Sequence, residues 1–417
     1  MVAVLGASGV HAGQTAPSLR EQALAAEAGQ DTAAALAALD KGLKAKPNDA
    51  GLLAVKGQVY WRLLRTKSAE QALIAAAKTP AYASEAQYWL GRIYFFKGWQ
   101  AENAFPGWHE EVSYRPRAMA AFTAARDAKP DSYLPYVGLG DIAKAEGREA
   151  EANAAYAKAA SLGRPPGTPI DRLGELDATL AALQKSPNAP LEELRDAVDA
   201  RIVFRPDPMA YATGANLLLA RRADLAYVAR LAEAGREAGA QFVRENESSY
   251  RLDGKVQASL DRNAAGFADI AGWAAYQQKN ITLAETRLAE AARLSRNLDP
   301  TNQIHLGELS KGKNDLETAR EHYLTVLNLA QAAPPQREAS KAALVDIQSK
   351  SGEDPADFEK WLSSTLDRRR EERRQALVSD MAGKPLPGVV FTDLQGHAVD
   401  LLAERGNVVL LNFFSAW

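Results

Sequence analysis

The sequence predicts a mainly α protein, an α-solenoid of helical hairpins, followed by a short β segment near its C-terminal end. Three observations predict this fold class. Residues 18–165 and 264–350 repeat small and aromatic positions with a fixed period, and residues 20–350 are rich in alanine, the best helix former. The helical pattern then stops at Ala382, where glycine turns and runs of β-branched residues take over.

The period is 34 residues, and several independent positions obey it. Ala35 and Ala69 are 34 residues apart, as are Gly57 and Gly91. The same spacing relates Leu39 to Leu73, Tyr60 to Tyr94, Ala118 to Ala152 and Phe122 to Tyr156, with 15 extra residues inserted before Ala118. In a two-helix repeat we expect the glycine and the alanine where the two backbones approach most closely. The larger side chains then fill the space between hairpins.

These repeats resemble the tetratricopeptide family. The segment Tyr136-Val-Gly-Leu-Gly-Asp-Ile-Ala143 carries the resemblance, with Ala152 and Tyr156 after it, and the pattern returns at Leu306, Gly307, Ala319 and Tyr323. Residues 18–165 and 264–350 are similar to the family, whereas residues 166–263 keep amphipathic helices without the register and are interpreted as degenerate hairpins or a helical connector. The resemblance implies protein or peptide clients on the helical-repeat surface.

An aromatic insertion between Tyr94 and Ala118 is the candidate client-binding feature. We expect it to lie in the turn of one hairpin, where aromatic side chains could contact a protein partner. The alternative is a loop that folds back to cover the array. The candidate protein-binding residues are Trp99, Phe105, Trp108 and Tyr114.

Composition argues against several other functions. The formal net charge of −2 argues against a nucleic-acid binder, and the absence of cysteine excludes disulfides and thiolate metal sites from this chain. No carboxylate or histidine lies at metal-ligand spacing from His109, His305 or His322. The sequence also contains no nucleophile motif and no phosphate-binding loop. The sequence therefore assigns no catalytic residue, no cofactor and no metal.

Residues 1–17 are a separate segment. Met1 to Ala12 is apolar and resembles the second half of a secretory signal, although no positive residue leads it. A disordered terminus is the main alternative. We expect an exported protein, in the periplasm or cell envelope. No apolar run approaches the roughly 18–20 residues of a membrane-spanning helix, so no integral membrane span is expected.

Residues 351–381 are predicted to form a charged linker helix. The run from Asp367 to Arg374 alternates positive and negative side chains, which is typical of a solvated helix with ion pairs three or four residues apart. A docking patch for a partner is the alternative.

Residues 382–417 are predicted to begin an α/β fold. We expect strands at 389–392 and 398–401 around a turn at 393–396, and a buried strand at 408–414. Gly383-Lys-Pro, Asp393-x-x-Gly396, Gly406-Asn-Val-Val and Ser415-Ala-Trp417 resemble the entry to the thioredoxin superfamily in its TlpA/ResA-like branch. The peroxiredoxin branch also fits residues 383–411.

The thioredoxin-like resemblance implies a Cys-x-x-Cys motif directly after this tryptophan, and the sequence ends at Trp417 before it. We therefore expect an incomplete thioredoxin-like fold. The predicted function is that of a fragment of an exported thiol-disulfide oxidoreductase whose array positions protein clients. The alternatives are a non-enzymatic scaffold for protein–protein interaction and a peroxiredoxin-like antioxidant protein.

Overall fold

The computed structural model describes residues 17–29, 31–104, 114–163, 172–186, 188–246, 255–350, 357–381, 390–392, 397–400 and 403. These residues form eighteen helices and one two-stranded sheet. The first eight helices are α1 (Leu19–Ala28), α2 (Thr32–Ala45), α3 (Ala50–Arg62), α4 (Thr66–Ala76), α5 (Pro80–Ala104), α6 (Tyr114–Ala128), α7 (Leu134–Ala145) and α8 (Glu149–Ser161).

The remaining elements continue in chain order. They are α9 (Arg172–Gln184), α10 (Leu191–Phe204), α11 (Pro208–Ala220), α12 (Leu225–Glu245), α13 (Lys255–Gln277), α14 (Ile281–Leu294), α15 (Pro300–Gly312), α16 (Leu316–Asn328), α17 (Pro334–Lys350), α18 (Phe358–Met381), β1 (Val390–Thr392) and β2 (Ala398–Asp400). The chain divides into two compact units between Ala319 and Arg320.

In the first unit, consecutive helices pair into hairpins. Helix α1 packs on α2, α3 on α4, α5 on α6 and α7 on α8, and the pairing continues from α9 to α14. The first helices of neighbouring hairpins also touch, α1 with α3, α3 with α5, α5 with α7, and α11 with α13. This two-layer arrangement is a tetratricopeptide-like solenoid, and it confirms the fold class that the 34-residue period predicts.

Asparagine and aspartate side chains begin many of these helices. The side chain of Asp49 accepts a hydrogen bond from the backbone N–H of Leu52 at the start of α3. Asp31, Asp207, Asn280 and Asp299 cap α2, α11, α14 and α15 in the same manner. Each cap satisfies a backbone donor that the helix leaves without a partner, which stabilises the helix start by roughly 1 kcal/mol.

The glycine of each repeat makes room for a large side chain on the second helix of its hairpin. A Cβ added at Gly57 would lie 2.3 Å from Leu73 Cγ, and one at Gly140 would lie 2.5 Å from a Tyr156 ring carbon. Gly272 faces Leu288 in the same way. The sequence predicts close backbone approach at these glycines, and the structure shows that a leucine or aromatic side chain fills the space instead.

The repeated alanines lie in the core, as predicted. Each is at most 1% exposed, because any larger side chain would push the helices of a hairpin apart. The set comprises Ala35, Ala69, Ala118, Ala152, Ala284 and Ala319.

The aromatic insertion is more helical than predicted. Residues 95–104 extend α5, and residues 114–117 form the first turn of α6, so the prediction of a turn is wrong for these residues. The extra turns of α5 are held by the core: the Phe96 ring meets Trp61 edge-on at 5.2 Å, and buried Lys97 donates to Glu70 at 2.8 Å. Residues 105–113 lie outside the described part of the chain.

A contact between distant repeats joins the two halves of the first unit. The Glu245 carboxylate, at the end of α12, accepts from the backbone N–H of Ser68 at 3.0 Å and from its hydroxyl at 2.7 Å. Helix α4 has no cap from its own N-cap residue, Arg65, so Glu245 fills that role from another repeat. Asn246 donates to the carbonyl of Leu64 at 3.0 Å.

These hydrogen bonds of Glu245 and Asn246 are part of a larger contact, which we call the closure contact. It also includes Thr66 at the start of α4, Arg62 of α3 and the end of α10 at Phe204. Buried Thr66 donates to Asn246 Oδ1 at 2.9 Å. Arg62 binds Glu27 through two hydrogen bonds of 2.7 Å and donates to the Phe204 carbonyl at 2.5 Å. The hairpins α1–α4 are therefore fixed against the ends of α10 and α12.

The second unit contains the charged helix and the hairpin. In α18, Arg370 pairs with Asp367 at 3.0 Å and Arg374 with Glu371 at 2.7 Å, as the alternating pattern predicts. Strands β1 and β2 are antiparallel, with Val390 opposite Asp400, which confirms the first two predicted strands in shorter form. The predicted strand at 408–414 and the N-terminal segment 1–16 lie outside the described residues, and the predicted domain boundaries stay predictions.

Replacing Gly57 by alanine tests the packing of the repeats. We expect Gly57→Ala to lower the free energy of unfolding by roughly 1–3 kcal/mol, because the new methyl group would overlap the buried Leu73 side chain. Urea unfolding followed by circular dichroism measures the change.

Gly266→Ala is the matched control for that variant. A Cβ at Gly266, in α13, would meet no atom within 4 Å. We expect this variant to be about 0.5–1 kcal/mol more stable than the original chain, because alanine restricts the unfolded backbone more than glycine does. Equal effects at both glycines would contradict the packing described above.

Candidate functional site

An open groove of about 640 Å³ lies in the first unit. Its walls come from the loop before α11, the ends of α3 and α12, one face of α13 and the start of α15. We call this cavity the groove. Its lining residues are Leu64, Asp177, Arg201, Arg205, Asp207, Pro208, Met209, Ala212, Asn216, Phe242, Arg262, Asn263, Gly266, Phe267, Asp269, Ile270, Asp299 and Thr301.

A buried arginine holds the first wall in place. Arg201 is 2% exposed, and its guanidinium donates to Asp177 at 2.7 Å, to Asp207 at 2.9 Å and to the Arg205 carbonyl at 2.7 Å. Asp207 also accepts from Arg205 at 2.8 Å and from the backbone N–H of Ala210. Because every donor group of Arg201 has a partner, this cluster is a framework for the wall.

The Asp207 carboxylate is held in its charged form. Burial raises its pKa, but the hydrogen bonds from Arg201 and from the Ala210 backbone outweigh burial and keep the pKa below its ordinary value. Asp207 thus joins a helix cap and an ion pair at one position. The loop from Arg205 to Asp207 cannot move without breaking both.

The floor of the groove is one face of α13. Arg262, Gly266 and Asp269 all line it, and their spacing of four and three residues places them on one side of the helix. Gly266 leaves the space above it empty within 4 Å of a Cβ position. The backbone of α13 is therefore accessible between two charged side chains.

A histidine and an aromatic stack support the far end of the floor. Asp269 accepts from Asn302 Nδ2 at 2.9 Å and lies 2.9 Å from His305 Nδ1. The His305 ring stacks on Trp273 at 4.1 Å, and Trp273 stacks on Tyr276 at 4.9 Å. These contacts fix the orientation of the Asp269 carboxylate at the groove.

A second carboxylate lies beside Asp269. Asp299 caps α15 by accepting from the backbone N–H of Thr301 at 2.8 Å. Burial, together with the negative charge of Asp269, raises the pKa of Asp299. Two carboxylates therefore meet at this end of the groove. Within the part of the chain that the structure describes, neither one forms an ion pair with a lysine or arginine.

Of the four candidate residues that the sequence singled out, the structure describes the side chain of Tyr114, which does not line the groove. Tyr114 is half-buried, and its ring stacks on Tyr94 at 6.4 Å under the Arg117 guanidinium. Burial and Glu70 raise the pKa of Tyr94 to about 12. Phe105, Trp108 and the side chain of Trp99 are outside the described residues, so their role in protein binding stays a prediction.

Sequence reasoning missed the groove because its parts come from helices with no common register. The carboxylate that contacts His305 in the fold belongs to Asp269, 36 residues earlier in the chain. Two proline-flanked aspartates, Asp207 and Asp299, are the available signals, since Asp-Pro marks the start of a helix.

The described residues contain no group of three or more histidine, aspartate or glutamate side chains that could hold a metal ion. No helix among them is both long and apolar enough to cross a membrane.

Comparison with known proteins gives remote structural similarity only. No family model matches the chain, and no curated protein matches it. The crystal structure of yeast Tom70 aligns with a TM-score of 0.28 and 12% identity, over 86% of this chain and 87% of that one. The hetero-tetramer Cut9–Hcn1 of the APC/C aligns with a TM-score of 0.24 and 15% identity, over 84% and 86%.

Removing the Asp207 charge tests the first wall. We expect Asp207→Asn to cost roughly 3 kcal/mol of unfolding free energy at pH 7, because Arg201 loses its buried partner while asparagine keeps the helix cap. The folded pKa of Asp207 is depressed, so its contribution is present above the unfolded value near 3.9 and is lost as the pH falls through the folded value.

The difference in unfolding free energy between Asp207→Asn and the original chain should therefore shrink below about pH 4. Urea unfolding at several pH values measures it. Asp177→Asn is the control. Asp177 binds the same arginine but is half exposed, so we expect this variant to lose less than about 1 kcal/mol of unfolding free energy. A difference for Asp207→Asn that does not vary with pH would contradict this account.

Proposed function

We propose that this chain is a scaffold for protein–protein interaction and that the groove binds an extended segment of a client protein. The observation that carries the proposal is the open floor at Gly266, flanked by apolar and charged side chains in a tetratricopeptide-like array. A client backbone can approach α13 closely there, since no side chain stands in the way.

The apolar part of the groove supports this function. Met209, at the start of α11, lines the groove and is 68% exposed. Phe242, Phe267 and Ile270 line the same cavity. Methionine adapts its shape to different partners and aromatic side chains contribute most of the binding energy at many interfaces, so this surface suits a client segment with apolar side chains.

The rigidity of the walls supports it as well. The Arg201 cluster fixes the loop before α11, and the closure contact fixes Leu64 beside Phe242. A groove that is formed before binding costs less conformational entropy when the client arrives. We therefore expect the client to bind without a change in the conformation of the array.

Filling the floor of the groove tests the proposed function. Random octapeptides displayed on phage are selected on the full chain, and the enriched peptides are synthesised. We expect Gly266→Leu to weaken their binding by about tenfold or more while the thermal midpoint does not fall, because the added side chain occupies the groove and its Cβ meets no atom within 4 Å.

Ala229→Leu is the matched control, since it adds the same side chain to an exposed position of α12 that does not line the groove. It should bind the peptides as the original chain does. If no peptide is enriched, or if Gly266→Leu binds unchanged, the groove is not the client site.

We also propose, as the second candidate function, that the C-terminal part begins a thioredoxin-like domain of an exported thiol-disulfide oxidoreductase. The antiparallel hairpin of Val390–Thr392 and Ala398–Asp400 supports this proposal, because it lies where the sequence resemblance expects the first two strands. The test is the gene beyond the codon for Trp417. An in-frame Cys-x-x-Cys directly after it is expected, and its absence there would contradict the proposal.

A further inference from the structure

We propose that the groove selects client segments by charge: a lysine or arginine side chain binds between Asp269 and Asp299, and a carboxylate binds Arg262. This inference rests on the proposed function and names the chemistry of the client. The two charged ends of the groove and the distance between them carry it.

Among the described residues, the two carboxylates of the negative end have no lysine or arginine partner. Asp269 and Asp299 both line this end of the groove, where the charge of Asp269 helps to raise the pKa of Asp299. Among the described residues, His305 is the only ion-pair partner of Asp269. Asp269 is 5% exposed, so its charge is poorly screened by water. A client ammonium or guanidinium group would relieve the repulsion between the two carboxylates.

The positive end is Arg262. Its side chain is exposed, and it forms no ion pair with another described residue. Arg262 lies two helical turns before Asp269 on the same face of α13, which separates the two positions by about 10 Å along the helix axis. An extended peptide covers that distance in about three residues.

The part of the groove between the two charged ends determines which residues the middle of the client segment should have. Gly266 lies between Arg262 and Asp269 and leaves room for a main chain. Met209 and Phe242 also line the groove and add apolar surface to it. We therefore expect an extended segment with apolar residues in the middle, a basic side chain at one end, and an acidic side chain or terminal carboxylate about three residues away.

Asp299→Asn is the variant that separates charge from folding. Asparagine caps a helix as well as aspartate does, so α15 keeps its start while the groove loses one negative charge. Burial raises the pKa of the Asp299 carboxyl because the charged form is costly there, so the neutral asparagine also removes that cost. Asp49→Asn makes the same change at the cap of α3, away from the groove, and serves as the control.

The experiment repeats the octapeptide selection on the full chain and on both variants, with fluorescence-polarisation titration of the enriched peptides. We expect the original chain and Asp49→Asn to enrich lysine or arginine about three residues from an acidic residue. Asp299→Asn should bind those peptides about tenfold more weakly and lose the preference for the basic residue. Replacing the basic residue of a peptide by glutamine should weaken binding to the original chain and leave binding to Asp299→Asn nearly unchanged.

Arg262→Gln gives an independent result. It should abolish the preference for the acidic residue and keep the preference for the basic one. Enriched peptides without a basic residue, or equal affinity of Asp299→Asn and the original chain for basic peptides, would overturn the charge inference and leave the scaffold function standing. Failure to enrich any peptide would overturn both.

Discussion

The groove depends on a contact between parts of the chain that are 180 residues apart, at Thr66 and Asn246. Glu245 caps helix α4 from another repeat, and Arg62 binds the Phe204 carbonyl, so the first two hairpins are fixed against the ends of α10 and α12. An open array would leave the N-terminus of α4 without a cap. The charged cap therefore links the stability of one repeat to the position of another. Because the first two hairpins are held in this position, Leu64 forms part of one wall of the groove.

Within each hairpin, a simpler constraint operates. A glycine on the first helix and a leucine or aromatic residue on the second fit together, as Gly57 and Leu73 do. The constraint is local in sequence, so it produces the period of 34 residues. It fixes how hairpins are built, while the closure contact fixes how distant hairpins meet. The proposed client site depends on the second constraint, since the groove lies where distant repeats meet.

This difference explains what could be predicted from the sequence. The hairpins, the buried alanines and the strands near Val390 follow from period and pattern. The groove could not be predicted, because Asp269 and His305 have no local motif and come together only when α13 and α15 are packed. The helical extension of α5 was missed for a related reason: contacts of Lys97 with Glu70 on another helix override a sequence that looks like a loop.

The most direct measurement of the closure contact is a distance between its two sides. The chain has no cysteine, so a pair of cysteines introduced at exposed positions Gln71 of α4 and Gln241 of α12 can be labelled with nitroxides without background. Double electron–electron resonance on the full chain should give a single narrow peak at short distance, and Glu245→Ala should broaden it. A broad distribution at long distance in the original chain would contradict the closed arrangement on which the groove depends.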